Sequence, residues 1–204
     1  MLDVEGFVLV GGASRRMGTD KAGLVLGGLT QAKRVAAAMA PLVSRVRVVG
    51  SRSAGEDVPN VPDIEPGWGP LGGIHSALAA ANCEWALVVA CDLPFVTTAL
   101  LARLCRLADE SLATSYDAIV PVQSDGRRQG LCALYRRKPC QAVAEDLILR
   151  GEHSPRALFE TVSTSYLQFA EISDLEGSEY FFLNVNTPEN YERAREIIAS
   201  AGAT

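Results

Sequence analysis

The sequence has few of the residues from which several kinds of active site and scaffold are built. Its two histidines, His75 and His153, offer little from which to assemble a Ser-His catalytic arrangement. Its five cysteines are odd in number and include no C-x-x-C pair, which argues against both a disulfide framework and a zinc cluster. We therefore expect reduced thiols in a cytoplasmic protein.

Long apolar runs and an excess of positive charge are also missing. The most apolar stretch, WALVVAC at 85–91, is far shorter than the roughly 20 residues that span a bilayer. The first residues, MLDVEG, are acidic where a signal peptide is basic. The formal net charge is −5, so the chain lacks the basic footprint of a nucleic-acid-binding protein. We expect a protein that binds neither membranes nor nucleic acid.

The rest of the composition is that of an ordinary folded chain. With 204 residues, of which 48% are hydrophobic and 21% are charged, the chain can bury one substantial core. It contains no internal repeat, low-complexity tract or convincing interdomain linker. We therefore predict a single domain over residues 1–204.

Short apolar runs alternate with segments of helical period. Five runs have the length and composition of strands: GFVLV (6–10), RVRVVG (45–50), WALVVA (85–90), DAIVPV (117–122) and LCALYR (131–136). Between them, apolar residues recur at helical spacing, as at Leu71, Ile74 and Leu78. Near the end of the chain, Thr187 and Pro188 have the pattern of a helix N-cap and first helical residue.

Apolar strands that are separated by helices predict an α/β fold. We expect a doubly wound, mostly parallel sheet with helices on both faces. In such folds ligands bind at the carboxyl ends of the strands. The chemistry should therefore lie in the loops that follow residues 10, 50, 90 and 183.

The loop after the first strand, within LVGGASRRMGTDK at 9–21, combines bare backbone with positive charge. Gly11 and Gly12 allow amide groups to face an anion, and Arg15, Arg16 and Lys21 add cations. The spacing matches neither a P-loop nor G-x-G-x-x-G. We interpret it as a phosphate-binding loop; the alternative is a glycine-rich turn with solvated arginines.

Asp92, in ACDLPFV at 90–96, comes directly after the most apolar strand. A carboxylate that faces a phosphate site needs a cation between them, and hard oxygen ligands with few protein contacts suit Mg²⁺. We predict that Asp92 binds Mg²⁺. The alternative is that it caps the helix beginning near Thr97 or Thr98.

Asp63 precedes a glycine- and proline-rich loop, DIEPGWGPLGG at 63–73, that enters a helix. A helix N-terminus is a second site for anions or polar groups. A carboxylate can accept paired hydrogen bonds from N1–H and the exocyclic amine of guanine. Asp63 is thus a candidate base reader, and the alternative is a surface aspartate beside a turn.

Asn184 and Asn186, in FFLNVNTPE at 181–189, would share a face if a strand persists that far. Their amides could orient phosphate oxygens or a metal-bound water; the alternative is a turn in which one asparagine is a cap.

Arg156, in GEHSPR at 151–156, belongs to a short loop between predicted helices. From its sequence context alone it is a solvated surface residue.

Taken together, these segments resemble the molybdenum cofactor guanylyltransferase family, enzymes that join GMP to molybdopterin. The resemblance covers essentially the whole chain. It is carried by L-x-G-G…R-M-G…D-K within 9–21, P-G-x-G-P-L-x-G-I at 66–74, C-D-x-P at 91–94 and N-V-N-T-P-E at 184–189. It implies a Rossmann-like nucleotidyltransferase fold and an Mg²⁺-dependent transfer of GMP from GTP to molybdopterin, with release of pyrophosphate.

The resemblance also implies roles for individual residues. Those implied to hold the nucleotide are Leu9, Val10, Gly11, Gly12, Lys21, Asp63 and Asp92. Those implied to serve turnover are Arg16, Lys21, Asp92, Asn184 and Asn186. Arg156 is implied to contact the acceptor. Molybdenum-insertion proteins and apo-molybdoenzymes are the implied protein partners.

Two positions depart from the family pattern, and other functions stay open. Gly50 stands where family members often carry an asparagine that helps to read the base, and Gly130 stands where they tend to have a proline. The nearest alternatives are the same chemistry with CTP and molybdopterin, or with a nucleoside triphosphate and a sugar 1-phosphate. A non-catalytic module that binds the nucleotide or the cofactor is the alternative from another class.

Overall fold

The computed structural model describes residues 2–11, 24–50, 58–64, 66–110 and 116–201. The strands in these ranges are β1 Val4–Val10, β2 Val25–Leu26, β3 Leu29–Thr30, β4 Val46–Gly50, β5 Asn60–Val61, β6 Trp85–Ala90, β7 Ala118–Pro121, β8 Cys132–Arg136 and β9 Thr164–Leu167. The α-helices are α1 Gln31–Met39, α2 Gly69–Ala80, α3 Thr98–Glu110, α4 Arg137–Leu149, α5 Pro155–Thr161 and α6 Pro188–Ala201. All five predicted strands are confirmed.

Seven of the strands form one twisted sheet in the order β5-β4-β1-β6-β8-β7-β9, and β2 pairs with β3 in a separate hairpin. The pairs β5-β4, β4-β1, β1-β6 and β7-β9 are parallel. Strand β8 is antiparallel to both of its neighbours. It returns through a tight turn in which Gln123 N donates to Arg127 O at 2.8 Å, so β7 and β8 are joined without a crossover helix.

The helices cover both faces of the sheet, as the sequence predicted. On one face, Val35 of α1 and Leu100 of α3 pack against Val8 of β1 in one buried cluster. On the other, helices α2, α4 and α5 contribute to a second cluster that contains the alternate β1 residues Phe7 and Leu9. The predicted α2 stripe lies in this second cluster and is fully buried: Leu71, Ile74 and Leu78. Burial of β1 on both faces explains its continuous apolar run from Phe7 to Val10.

The C-terminal helix begins as predicted. Thr187 Oγ1 accepts from Asn190 N at 3.2 Å, and Pro188 is the first residue of α6. The inward-facing residues of this helix pack against Leu26 and Val185: Tyr191, Ala194 and Ile198. Within the described ranges, no helix is both long enough and apolar enough to span a bilayer.

The prediction of a strand ending at residue 183 is wrong. Residues 183–186 lie outside the helices and strands. Leu183 N donates to Tyr180 O at 2.9 Å in a local turn, and Val185 N donates to Asp92 O at 2.8 Å. This segment thus makes one long-range backbone hydrogen bond in place of a strand ladder.

Candidate active site

Three neighbouring strands of the sheet end at the same edge. In the parallel register, Val10 of β1 is paired with Gly50 of β4, and Leu9 is paired with Ala90 of β6. Just beyond the strands, Cys91 N donates to Leu9 O at 3.0 Å. Loops that are distant in sequence therefore leave the sheet side by side, where ligands of doubly wound folds bind.

The structure describes only part of the predicted phosphate-binding loop. Leu9 and Val10 are buried at the end of β1, and Gly11 is exposed directly after it. The Leu9 side chain packs on α2, where a Cβ atom built on Gly73 would lie 3.4 Å from Leu9 Cδ1. The predicted roles of Gly12, Arg16 and Lys21 lie outside the described residues and stay predictions.

Asp63 follows β5 and lies beside the end of β4. Its Oδ2 would be 3.7 Å from a Cβ atom built on Gly50. The backbone after it is anchored to α2, because Ile64 N donates to Ser76 Oγ at 3.0 Å. Partial burial raises the pKa of the Asp63 carboxyl above its usual value. A carboxylate in such a partly dehydrated place forms stronger hydrogen bonds than one in water.

The departure from the family pattern at Gly50 has a steric cause. Gly50 has φ +110°, and a Cβ atom built on it would lie 1.8 Å from Val10 O. The nearby Asn60, which the sequence reasoning missed, donates from Nδ2 to Gly50 O at 3.2 Å. An asparagine amide therefore lies next to this strand end, although it comes from β5. Only the pairing of β4 with β5 reveals this, since Asn60 is separated from Gly50 by ten residues.

Asp92 and the two predicted asparagines are brought together. Asp92 lies two residues beyond the end of β6, and its carbonyl oxygen accepts a hydrogen bond from Val185 N. Val185 is fully buried, whereas Asn184 is exposed and Asn186 is partly exposed. Exposure therefore alternates along residues 184–186 as it would in a strand, although this segment is not a strand.

At the helix that follows Asp92, the structure shows a cap from another residue. Thr97 Oγ1 accepts from Leu100 N at 3.3 Å at the beginning of α3. Thr97 is five residues beyond Asp92, so a residue next to the helix supplies this cap. Asp92 is a partly exposed residue at the sheet edge.

The donor types near this edge suit a hard cation. The carboxylate of Asp92 and the amide oxygens of Asn184 and Asn186 are oxygen ligands, which Mg²⁺ prefers. Among the residues that the structure describes, no group of three or more His, Cys, Asp or Glu side chains could hold a metal ion. One carboxylate is nevertheless compatible with Mg²⁺, which keeps several waters and binds substrate phosphates.

The loop before α5 packs against the beginning of α2. The Trp68 and His153 rings stack with centroids 4.7 Å apart and planes tilted by 30°. Trp68 Nε1 donates to Glu152 O at 3.0 Å, and Leu71 N donates to His153 O at 3.2 Å. The segments 66–74 and 151–156 therefore pack together as one unit. One of the amides that the N-terminus of α2 would otherwise leave without a partner, that of Leu71, is hydrogen-bonded to His153 O.

Arg156 lies at the beginning of α5 with 73% of its side chain exposed. Its Nε is 2.9 Å from Glu160 Oε1, which is also 2.7 Å from Nη1 of Arg128. The Arg128 guanidinium in turn lies 4.6 Å from the centre of the Tyr166 ring. Arg156 is thus an accessible cation that is held by an ion pair one turn along its helix.

Gly130, the second departure from the family pattern, is also explained by packing. A Cβ atom built on it would lie 2.7 Å from Phe159 Cε1 and 3.1 Å from the Tyr135 hydroxyl oxygen. The buried Tyr135 hydroxyl donates to Gly130 O at 2.8 Å. A residue with a Cβ atom at position 130 would therefore force the Phe159 ring to shift.

A mostly parallel sheet with helices on both faces, and with two aspartates and two asparagines near the edge where its strands end, is typical of the nucleotidyltransferase class. A family model described as "MobA-like NTP transferase domain" matches residues 6–167. The chain belongs to this family.

Similar proteins extend over nearly the whole chain. The chain is 33% identical to "Probable molybdenum cofactor guanylyltransferase" of Pelotomaculum thermopropionicum, over 96% of this chain and 93% of that protein. It is 32% identical to the protein of the same name from Carboxydothermus hydrogenoformans, over 94% of this chain and 95% of that protein. The resemblance inferred from the motifs is confirmed.

Solved structures agree with these relatives. Molybdopterin-guanine dinucleotide biosynthesis protein A of Archaeoglobus fulgidus superposes with a TM-score of 0.81 at 26% identity, covering 96% of this chain and 99% of that one. The 2-C-methyl-D-erythritol 4-phosphate cytidylyltransferase of Thermus thermophilus superposes with a TM-score of 0.70 at 17% identity, covering 97% of this chain and 100% of that one. The second likeness confirms the fold.

Proposed function

We propose that this protein transfers GMP from GTP to molybdopterin and releases pyrophosphate, forming the guanine dinucleotide form of the molybdenum cofactor. The relatives that match nearly the whole chain carry the name of this activity. The observation that carries the proposal is the shared sheet edge. There Asp63 lies beside β4, and Asp92 O accepts a hydrogen bond from the main chain between Asn184 and Asn186.

Asp63 is the proposed base reader. In its ionised form it can accept hydrogen bonds from both N1–H and the exocyclic amine of guanine. Adenine and cytosine do not present this pair of donors on one edge, so the contact selects guanine. Its partial burial supports this role, because water competes less for the carboxylate oxygens there.

The triphosphate is proposed to lie along the ends of β1 and β6. Main-chain groups of Leu9, Val10, Gly11 and Gly12 and the side chain of Lys21 would bind it. Asp92 would hold Mg²⁺, which when bound would offset the negative charge of the phosphates. These assignments are supported by the positions of Gly11 and Asp92 after two paired strands.

The reaction is a substitution at the α-phosphorus of GTP. An oxygen of the terminal phosphate of molybdopterin forms a bond to that phosphorus, and the bond to the oxygen that leads to the β-phosphate breaks. The protein contributes by positioning and by electrostatic stabilisation of the transferred group. Arg16, Asn184 and Asn186 are the residues proposed to orient phosphate oxygens, and no covalent enzyme intermediate is required.

The acceptor is proposed to approach from the side of α5. Arg156 is an exposed cation there, which suits a phosphorylated acceptor. Loop 151–156 also contacts the beginning of α2, so the two substrates would meet across packed loops. We further propose that the protein works in the cytoplasm, with molybdenum-insertion proteins and apo-molybdoenzymes as partners.

The experiment that tests this function is a panel of nucleoside triphosphates incubated with molybdopterin and Mg²⁺. Dinucleotide and pyrophosphate are measured, and GTP should give the fastest turnover. Faster turnover with CTP would refute the guanine assignment, and product only with a sugar 1-phosphate would refute the acceptor. Nucleotide binding with no pyrophosphate from any combination would favour the non-catalytic module.

A further inference from the structure

Gln31 is a polar residue in a fully buried position next to the proposed site. It is the first residue of α1, and its side chain and backbone together are 0% exposed. Its backbone N donates to Leu24 O at 3.1 Å. Neither the motifs nor the proposed reaction assigns a role to this residue.

The side-chain amide of Gln31 is poorly satisfied. Nε2 donates to Val185 O at 3.5 Å, which is the long limit for such a bond. Since a carbonyl oxygen can only accept, the Nε2 side of the amide must face Val185. That orientation leaves Oε1 buried without a hydrogen-bond partner in the part of the chain the structure describes.

A buried amide in this state does not stabilise the fold. A buried acceptor without a partner loses its hydration without compensation, and an apolar residue of the same shape avoids that loss. Departures from good packing chemistry of this kind are expected at functional sites. The position of Gln31 shows which function its amide could serve.

Val185 lies between Gln31 and the proposed site and contacts both through its main chain. Its carbonyl oxygen faces the Gln31 amide, and its N–H donates to Asp92 O at 2.8 Å. The residues on either side of it are Asn184 and Asn186. A change at Gln31 therefore acts on the main chain that carries both asparagines beside Asp92.

We propose that Gln31 is a positioning residue, which sets the main chain at Val185 and thereby places Asn184 and Asn186 relative to Asp92. This proposal rests on the proposed function. It deepens that function by naming a residue that acts on the reaction without touching the substrates.

The test is Gln31→Met, which keeps the length of the side chain and removes the amide. Three quantities are compared with the unchanged protein: the Tm without ligand, the rise in Tm on adding GTP and Mg²⁺, and kcat and KM for GTP with molybdopterin. We expect an unchanged or higher Tm, a smaller ligand-induced rise and a kcat lower by about 10- to 100-fold, the loss typical when a supporting residue is removed. A lower Tm with normal kcat and a normal ligand-induced rise would overturn the proposal.

Thr30→Ala is the matched control. Thr30 is the N-cap of α1 and accepts from Lys33 N at 3.2 Å, so its loss weakens the same helix without touching Val185. If Gln31→Met lowers both Tm and kcat, a control with the same loss of Tm and normal kcat supports the proposal. Equal losses of kcat in both variants would overturn it.

Failure of the proposed function gives a different result. The unchanged protein would then make no guanine dinucleotide, or would prefer another nucleotide. The ligand-induced rise in Tm still compares the variants with whichever nucleotide stabilises the unchanged protein most. An equal rise in both proteins would overturn the role of Gln31 whatever the reaction.

Discussion

Gly50 and Val10 approach so closely that a Cβ atom on residue 50 would lie 1.8 Å from the Val10 carbonyl oxygen. The two residues are paired at the end of the β1-β4 ladder. Gly50 also has φ +110°, a backbone angle that residues with a Cβ atom rarely adopt. The edge of the proposed nucleotide site thus depends on bare backbone at this strand end.

Replacing Gly50 with the asparagine common in the family should destabilise the protein. Asn tolerates positive φ better than most residues, but it cannot avoid the backbone oxygen of Val10. We expect Gly50→Asn to lower the free energy of unfolding by at least about 3 kcal/mol, since both overpacking and backbone strain contribute. Urea denaturation followed by circular dichroism measures this change.

Gly126→Asn is the control for the Gly50 variant. Gly126 has φ +83°, yet a Cβ atom built on it would meet nothing within 4 Å. We expect it to cost no more than about 1–2 kcal/mol, the backbone term alone. Equal losses in the two variants would show that the clash with Val10 does not control the stability at residue 50.

Asp63→Asn should change the base preference of the enzyme. An asparagine presents one acceptor and one donor in place of two acceptors, so it no longer matches guanine. It does match xanthine, which presents N1–H and a carbonyl oxygen on the same edge. We expect kcat/KM to fall for GTP and to rise for XTP, measured by pyrophosphate release. Unchanged preference for GTP would remove Asp63 from the base site.

The raised pKa of Asp63 makes a pH prediction. Burial favours the neutral carboxyl in the folded protein, so its folded-state pKa exceeds its unfolded value. Its contribution to stability is then present below the unfolded pKa and is lost as pH rises through the folded pKa. Asp63→Asn should therefore raise the Tm at pH 7, and this gain should disappear in acid. As the pH falls, protonation of Asp63 should abolish the selectivity for GTP. This loss should occur at a pH above the pKa of an exposed aspartate, which is about 3.9.

Asp92→Asn should impair the response to Mg²⁺ and leave the fold intact. The substitution keeps the main-chain carbonyl that accepts from Val185 N, and it replaces the carboxylate with a neutral amide of nearly the same shape. We expect turnover to fall by at least about 100-fold, as when an electrostatic group is removed from a reaction centre. Pyrophosphate release is measured as a function of Mg²⁺ concentration.

Asp174→Asn is the matched control for Asp92. Asp174 is an exposed carboxylate paired with Arg103 at 2.7 Å, on a different element of the fold. It should keep normal turnover and a normal Mg²⁺ requirement. An Asp92→Asn protein with the same Mg²⁺ response as this control would clear Asp92 of metal binding.

Gly130→Ala should destabilise the protein through Phe159. The added methyl group would lie 2.7 Å from Phe159 Cε1, and Phe159 is itself buried. We expect a loss of about 1–3 kcal/mol in the free energy of unfolding, as for other overpacked sites. In a protein that already carries Phe159→Leu, Gly130→Ala should cost less, which urea denaturation can detect. Independent, additive losses would show that the two residues do not compete for the same space.

The sequence predicted the elements that depend on local pattern. Five strands were confirmed because strands that are buried on both faces have continuous apolar runs, and α6 was confirmed through Thr187 and Pro188. The reversed direction of β8 was not predicted, because an apolar run has the same composition in either direction. The strand expected before Asn184 was wrong, because its backbone groups bond to a local turn and to Asp92.

By itself, the sequence determined the α/β class and the family and predicted a site at the strand ends, because periodicity, capping residues and motifs are properties of neighbouring residues. Only the tertiary structure decided that Gly50 cannot carry a side chain, that Asn60 lies beside it and that the Gln31 amide lies against Val185. Each of these relationships joins residues that are far apart in the chain. They arise from strand pairing and close packing, which no local pattern records.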